Sequence, residues 1–352
     1  MAKLSDVAAE AGLSSATVSR YLNGRIDLPQ RTRDRIDAAI DKLGYRPNAL
    51  AQRLSTGRSG AIGLVVPDIA NPFFAEIARG VDAEARAHGY AVLLSVTDCD
   101  PTREAEALRG LGDNAVEGLI LASCRPDDGT LTQLLRRHRQ VVLLDEDVPG
   151  AVVPGVFVDN RQGAYLAACH LIEAGHREIA MIGGPAGAMS MREREAGFTR
   201  ALGEAGLPLR PGRVVAGEYT RAHGRAATGV LLGSAMPPTG IVALADVIAI
   251  GSIEMARSRG LNVPGDLSVT GFDDVEFADL VHPALTTVRQ PIDRLGRLAV
   301  QRLIDQMADR HPPRETRLPV ELVRRGSVAP PRAAMPAVPR EIPQDIPKER
   351  QT

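Results

Sequence analysis

Apolar positions along this chain keep two different periods, and the change falls near residue 60. In the first segment Leu4, Val7, Ala8, Ala11, Leu13, Val18 and Leu22 recur at helical spacing, which predicts short helices over residues 5–10, 15–22 and 30–43 around one small core. Ser5 is expected to cap the first and Ser14 or Ser15 the second; Gly12 allows a tight turn between them, and Asn23 with Gly24 ends the second.

From Ala61 onward, continuous apolar runs replace the helical stripe. AIGLVV, YAVLLSV, VEGLILAS, QVVLLD, VFVD, EIAMIGG, RVVAG, GIVALA and LSVTGF read as strands, with ALTTVRQP and LPVELVRR following late in the chain. Amphipathic segments over residues 73–88, 163–174, 194–205 and 248–259 separate them. Strands without alternation, interleaved with helices, predict parallel sheets covered on both faces, and their number fits two doubly wound lobes better than one sheet.

Composition changes this picture in three places. The 352 residues exceed what one core usually supports, so several domains are expected. The net charge of −1 conceals a basic start, because residues 1–58 carry ten Lys and Arg against six Asp and Glu. Cys99, Cys124 and Cys169 are far apart and have no CxxC spacing, so buried reduced thiols are expected rather than a disulfide framework or a zinc site. There is no apolar signal segment at the start and no run long enough for a membrane helix, so the expected residence is cytoplasmic, without a membrane partner. The Pro-rich stretch 329–352 lacks apolar periodicity and is expected to be disordered.

LSDVAAEAGLSSATVSRYLNG has helix-turn-helix spacing, with Ala8 small enough for close helix approach. The start of the second helix of such a motif enters the major groove, where every base pair shows a distinct donor and acceptor pattern. Ser15, Ala16, Thr17, Arg20 and Asn23 occupy positions that reach bases or phosphates, with Lys3 added to the same DNA-contacting set. Arg20 can be bidentate to guanine O6 and N7, or contact phosphate only.

In the second segment, ligands of doubly wound sheets bind beyond the carboxyl ends of strands. PDIANPFF follows the first strand, so Phe73 and Phe74 read either as core at a helix start or as rings stacking on a ligand, with Asn71 offering its amide at the rim. Ser123 follows the third strand and is a candidate for shaping specificity. Asp246 reads equally as a cleft carboxylate or as the cap of the helix it opens.

DVAAEAGLSSATVSRYLNG, LGYRPNALAQRLSTGRSGAIGLVVPDIANPFF, REREAGFTRAL, VIAIG, GFDD and HPALTTVRQP occur together in one order across residues 3–326. On these motifs the chain resembles the LacI/GalR family of bacterial repressors. The resemblance implies an all-α helix-turn-helix headpiece (1–46), a hinge helix and linker (47–60), and an α/β core like the periplasmic binding proteins. The implied lobes are 61–159 plus about 289–318, and 160–288 plus about 319–328. In that family the hinge lies in the minor groove of a pseudo-palindromic operator and a leucine wedges into the central step; Leu54 matches it. An apolar wedge of that kind unstacks and kinks a duplex. Asn48 then caps a helix of about two turns, and Arg53 and Arg58 are expected at phosphates.

The resemblance also matches Arg194 to an arginine that binds effector hydroxyls or carboxylate, Tyr219 to an aromatic of the second lobe, Asp273 to a hydroxyl acceptor and, more weakly, Gln290 to a cleft residue. One departure is Ala245 before Asp246, where many relatives have Asn, which weakens the usual sugar contact set. GxGxxG, GxxxxGK[ST], GxSxG and HExxH are all absent, so the reading is not an enzyme, with neither cofactor nor metal. The expectation is a transcriptional repressor, a homodimer or tetramer on double-stranded operator DNA, controlled by a small-molecule effector, most simply a carbohydrate. A nucleobase- or nucleoside-responsive, co-repressor-dependent regulator is the alternative, and a solute-binding receptor the more distant one.

Overall fold

The computed structural model describes residues 2–22, 26–45, 59–112, 115–124, 129–136 and 140–332. The chain divides into two compact units, Met1–Gly60 and Ala61–Thr352.

The first unit holds α1 (Leu4–Ala11), α2 (Ser15–Leu22) and α3 (Gln30–Leu43). Val7, Ala8, Ala11, Val18, Ile36 and Ala39 form its core, ringed by Leu4, Leu13, Tyr21, Leu22, Leu28, Ile40, Leu43 and Tyr45. The α1–α2 turn is possible because Gly12 takes a left-handed φ of 63°, a conformation that costs glycine nothing sterically. Ser14 is the cap of α2, its hydroxyl accepting the Thr17 N–H at 3.2 Å. Ser5 does not cap α1; that helix begins one residue earlier, and the Asp6 carboxylate accepts the Lys3 N–H at 2.8 Å. A carboxylate in the first turn meets both the free amide and the positive end of the helix dipole, which a serine hydroxyl one residue late cannot do.

The second unit contains two six-stranded sheets. Its elements in chain order are β1 (Ala61–Val66), α4 (Pro72–Ala87), β2 (Ala91–Val96), α5 (Pro101–Gly112), β3 (Leu119–Leu121), α6 (Thr130–Leu135), β4 (Val141–Leu144) and β5 (Gly155–Val158). These are followed by α7 (Asn160–Glu173), β6 (Ile179–Ile182), α8 (Met189–Glu204), β7 (Val214–Val215), α9 (Arg221–Leu232), β8 (Gly240–Ala243), α10 (Asp246–Ser258) and β9 (Ser268–Asp273). A short 3-10 turn (Glu276–Ala278), β10 (Thr286–Arg289), α11 (Ile292–Met307), β11 (Glu315–Leu318) and β12 (Glu321–Val323) complete it.

Sheet one has the order β11-β5-β4-β3-β1-β2, and sheet two the order β12-β10-β9-β8-β6-β7. All neighbours run parallel except β12, which is antiparallel to β10. The chain crosses between the sheets three times: after β5, after β10, and in the two residues between β11 and β12. β11 reads ETRL, too polar to announce itself as a strand; its place at the end of sheet one beside β5 explains why it tolerates that composition.

The lobes are closed on each other. Val275 of the second packs in the core cluster of the first, and Met189 at the start of α8 packs with Leu143 and Phe157 of the first. Arg317 of β11 bonds Glu193 of α8 at 2.7 Å. The segment after β12 also belongs to the second lobe: the Ala329 carbonyl accepts from Ser268 at 3.1 Å, and Arg332 pairs with Asp266 at 2.6 Å. The expected disorder therefore does not begin at Ala329; residues 329–332 are anchored by backbone and charge, and 333–352 lie outside the described residues.

Candidate functional site

In each sheet the strand order reverses once, at β1 between β2 and β3 and at β6 between β7 and β8. Such a switch point leaves a crevice beyond the carboxyl ends of the strands, because the flanking connections leave on opposite faces. A cavity of about 380 Å³ lies where the two switch points face each other. Pro67, Asp68, Asn71 and Phe74 after β1, Asp98 and Cys99 after β2, and Cys124 after β3 form one wall. Pro185 after β6, with Glu218, Tyr219 and Thr220 after β7, forms the other.

The backbone around the strand ends is strained. Asp98, Cys99, Asp145, Asp273 and Asp274 all have positive φ, between 51° and 120°, although none is glycine. Residues held in this region cost on the order of 1 to 3 kcal/mol each and persist where the surroundings over-determine them. Asp273 shows how: Gln290 donates to its Oδ1 at 2.7 Å.

Behind the cavity wall lies a buried charged network that joins the lobes. Tyr219 Oη lies 2.8 Å from Ser190 Oγ, and Ser190 in turn donates its hydroxyl to Glu146 and its backbone N–H to the same carboxylate at 3.1 Å. Glu146 belongs to the first lobe and Ser190 to the second, so this contact bridges the closure. Burial pushes the Glu146 carboxyl up to about 8, reinforced by the neighbouring Asp145 and opposed by the Ser190 bonds and Arg194. Asp145 is raised by burial against the pull of Arg194, and its Oδ1 has no partner among the described residues.

Arg194 is the cation of this network. Its Nε donates to Asn160 Oδ1 at 2.7 Å and its Nη1 to the Leu244 carbonyl at 2.5 Å, with the guanidinium 3.8 Å from the Phe272 ring centroid. At 3% exposure it is no solvated surface ion pair. Burial raises Asp273 to about 7, with Arg194 pulling the other way.

The expected effector residues thus separate into two groups. Asn71, Phe74 and Tyr219 line the cavity, and Asn71 also caps α4 by accepting the Phe73 N–H at 3.1 Å. Phe73 packs in the first lobe's core, edge-on to Phe74 with ring centroids 5.0 Å apart. Ser123, Arg194, Asp246, Asp273 and Gln290 are buried and do not line the cavity. Asp246 takes neither of the places its sequence offers: Ala245 is the cap residue of α10, and the Asp246 carboxylate accepts the Val275 N–H at 3.0 Å and the Thr287 hydroxyl at 2.5 Å. It ties α10 to β10 and to the turn after β9, and burial beside Asp273 raises its pKa well above the usual carboxylate range.

Asp98, Cys99, Asp145 and Glu146 were invisible to the motif reading. They follow β2 and β4, two of the strands whose ends that reading passes over, and the strand-end rule applied uniformly reaches all four. Cys99 and Cys124 also overturn the expectation of reduced thiols, because they are joined in a disulfide with a Cα–Cα distance of 6.0 Å. Separation by 25 residues hides a pairing made by the ends of β2 and β3, which flank β1 on its two sides.

In the first unit, Ser15, Ala16 and Arg20 are exposed on α2, Thr17 is half-buried with its hydroxyl 2.8 Å from that of Ser14, and Lys3 is exposed at the start of α1. Arg20 is exposed and has no ion pair among the described residues. Asn23, Asn48, Arg53, Leu54 and Arg58 lie outside the described residues.

Residues 3–48 match the model of the lacI family of bacterial regulatory proteins, and residues 168–328 that of a periplasmic binding protein-like domain. Catabolite control protein A of Priestia megaterium is 37% identical over 303 residues, covering 86% of this chain and 91% of the relative. The chain belongs to the LacI family. A Lac repressor dimer bound to operator and the anti-inducer ONPF superposes with a TM-score of 0.83 at 28% identity, covering 93% of this chain and 99% of the other. A complex of the transcriptional regulator CelR with cellobiose gives 0.72 at 31% identity, covering 93% and 100%. The family fixes the activity class: this is a DNA-binding transcriptional repressor. Among the described residues no helix is long and apolar enough to cross a membrane.

Proposed function

We propose that this repressor binds a pseudo-palindromic operator as a homodimer and responds to an uncharged, hydroxyl-rich effector, a sugar or sugar derivative, held between the lobes of its core. The observation that carries this reading is the cavity at the paired switch points. Its walls supply carboxylates in Asp68, Asp98 and Glu218, amide and hydroxyl groups in Asn71 and Thr220, and rings in Phe74 and Tyr219. Carboxylates accept hydrogen bonds from hydroxyls and repel phosphate or carboxylate ligands, while rings suit the apolar face of a sugar. The CelR relative carrying cellobiose is consistent with that chemistry.

Homodimer formation is supported by the edge strand β2, which exposes Leu93 and Leu94 at 39% and 46%, and by Phe277 and Leu280 on the second lobe at 50% and 72%. Unpaired edges carrying apolar side chains are covered in stable proteins. On the operator, each α2 reads a half-site in the major groove while Leu54 wedges into the minor groove at the centre.

The test combines a thermal-shift screen of the full chain with operator gel shifts. Neutral sugars, polyols and nucleosides are compared with phosphorylated sugars; a true effector at a hundred times its dissociation constant stabilises by about 2.7 kcal/mol. Stabilisation by phosphorylated sugars alone would overturn the uncharged-effector reading, and by nucleobases or nucleosides alone would select the co-repressor alternative. Leu54→Ala is expected to weaken operator binding while sparing effector binding.

A further inference from the structure

The cystine sits in the wall of the cavity and not in a core. Cys99 is exposed and directly follows Asp98, both with left-handed φ (56° and 51°), while Cys124 is 8% exposed at the end of β3. Both residues line the cavity. The loop that carries Cys99 is otherwise held by the Asp98 N–H to the Pro67 carbonyl at 2.7 Å, the Asp100 N–H to the Thr97 carbonyl at 2.9 Å and an exposed ion pair of Asp98 with Arg103, while Asp100 anchors it to the start of α5 by accepting the Thr102 N–H at 2.7 Å and the Glu104 N–H at 2.9 Å; none of these bonds is made by Cys99. The disulfide is the covalent bond between the β2 and β3 ends of that wall.

A bacterial DNA-binding regulator works beside the chromosome, where low-molecular-weight thiols keep cysteines reduced, and disulfides that persist there are typically transient or sensing. An exposed sulfur on a strained loop is within reach of both oxidants and thiols, the setting of labile rather than structural disulfides. A Cα–Cα separation of 6.0 Å lies within the range that a disulfide spans.

We propose that Cys99 and Cys124 form a reversible thiol–disulfide pair, closed by hydroperoxides and opened by thiols, that sets the shape of the first lobe's cavity wall. A hydroperoxide oxidises the exposed Cys99 thiol to a sulfenic acid and leaves as the alcohol or as water. The Cys124 thiol then attacks that sulfur, forming the S–S bond and releasing water. Two thiols of the glutathione class reverse the step, being themselves joined as a disulfide while both cysteines regain their protons. Oxidised, the pair pins the β2 loop to the β3 end and fixes the wall; reduced, it frees Asp98 and Cys99 to move relative to Cys124. The regulator would thereby read oxidant at the same wall as its effector.

The experiment uses the full wild-type chain in two states, treated with hydrogen peroxide or with reduced glutathione. Thiols are trapped by alkylation and mapped by peptide mass, and amide hydrogen exchange is followed over residues 67–71, 97–104 and 119–124. Expected is a cross-linked Cys99–Cys124 peptide that appears with peroxide and disappears with glutathione, with Cys169 alkylated throughout. Exchange in residues 98–103 is expected to be about tenfold slower in the oxidised form. Cys99→Ser should hold that exchange at the reduced rate in both treatments. Thiols at both positions that survive peroxide, a bond that glutathione leaves intact, or equal exchange in the two states would each overturn the proposal. Because no effector is added, the result does not depend on whether the ligand is a sugar.

Discussion

Glu146 of the first lobe accepts the backbone N–H of Ser190 of the second at 3.1 Å, and the Ser190 hydroxyl lies 2.8 Å from Tyr219 Oη in the cavity wall. A ligand that touches Tyr219 is therefore one residue removed from the contact that bridges the lobes. In such a design, effector binding and lobe closure share a hydrogen-bonded chain, and a change at one end is felt at the other as a difference in free energy between closed and open states.

The Glu146 carboxyl sits at about 8 in the folded protein because it is buried beside Asp145. An unfolded Glu titrates at about 4.3. The folded state therefore holds the proton more tightly between these values, and the contribution to stability is greatest below the unfolded value and declines as pH rises to about 8. Asp273, raised to about 7, acts in the same direction over a narrower window. Melting temperature is expected to fall from pH 5 to pH 8, by an amount on the order of a few kcal/mol in stability. Glu146→Gln keeps an acceptor for the Ser190 N–H and has no proton to lose, so its melting profile should be flatter, with the remaining slope owed to the other raised carboxyls, Asp145, Asp246 and Asp273. Parallel profiles for the two proteins would remove Glu146 as the source.

Tyr219→Phe keeps the ring in the cavity wall and deletes the hydroxyl that meets Ser190. The loss of one buried hydrogen bond costs about 1 kcal/mol. Operator affinity in the absence of effector should stay within a factor of two to three, whereas the effector concentration needed for a half-maximal response in a gel shift should rise several-fold. An unchanged effector response would mean that Tyr219 does not couple ligand to closure.

Most of the fold was legible because its periods are clean. The strand runs from AIGLVV to LSVTGF are fully buried in both sheets where they are central, and apolar continuity reports that burial directly. ETRL of β11 was not legible, since Glu315 and Arg317 leave no apolar signal and its strand character comes from pairing with β5. Of the residues at the cavity wall, Asn71 and Phe74 were reached from the end of the first strand and Tyr219 only through the family resemblance; Arg194, expected on the same resemblance, lies behind the wall in the buried network. Glu146 and Cys99 are ordinary in sequence and acquire their properties from tertiary placement: one from burial beside another carboxylate, the other from a strand end that meets Cys124. The role of Asp246 could not be read locally either, because its partners Val275 and Thr287 lie 29 and 41 residues away.

α9 and α10 cross at close range through glycine. A Cβ added at Gly251 would lie 2.1 Å from the Arg221 carbonyl oxygen and 2.8 Å from the Arg225 nitrogen, both backbone atoms that cannot yield without the helices moving apart. Gly251→Ala should cost about 1 to 3 kcal/mol, seen as a lower midpoint in urea at an unchanged slope. Gly203, near the end of α8, has nothing within 4 Å of an added Cβ, so Gly203→Ala should stabilise by up to about 1 kcal/mol. Equal effects at the two sites would show that helix propensity, and not the crossing, governs both.

Arg20 is exposed on α2 beyond Ser15 and Ala16, in a unit whose small core of Val7, Ala8, Ala11, Val18, Ile36 and Ala39 does not involve it. Its replacement therefore leaves folding intact and isolates recognition. A bidentate contact to guanine discriminates by about 1 to 3 kcal/mol, and that discrimination is confined to one base pair in each half-site. A phosphate contact instead adds affinity to every sequence alike and releases counterions, so its removal lowers the salt dependence by about one ion. Arg20→Ala should consequently bind the cognate operator and a variant changed at that one pair with nearly equal affinity, with the salt slope unaltered. A uniform loss across all operators together with a shallower salt slope would make Arg20 a backbone contact and move the burden of base reading to Ser15, Ala16 and Thr17.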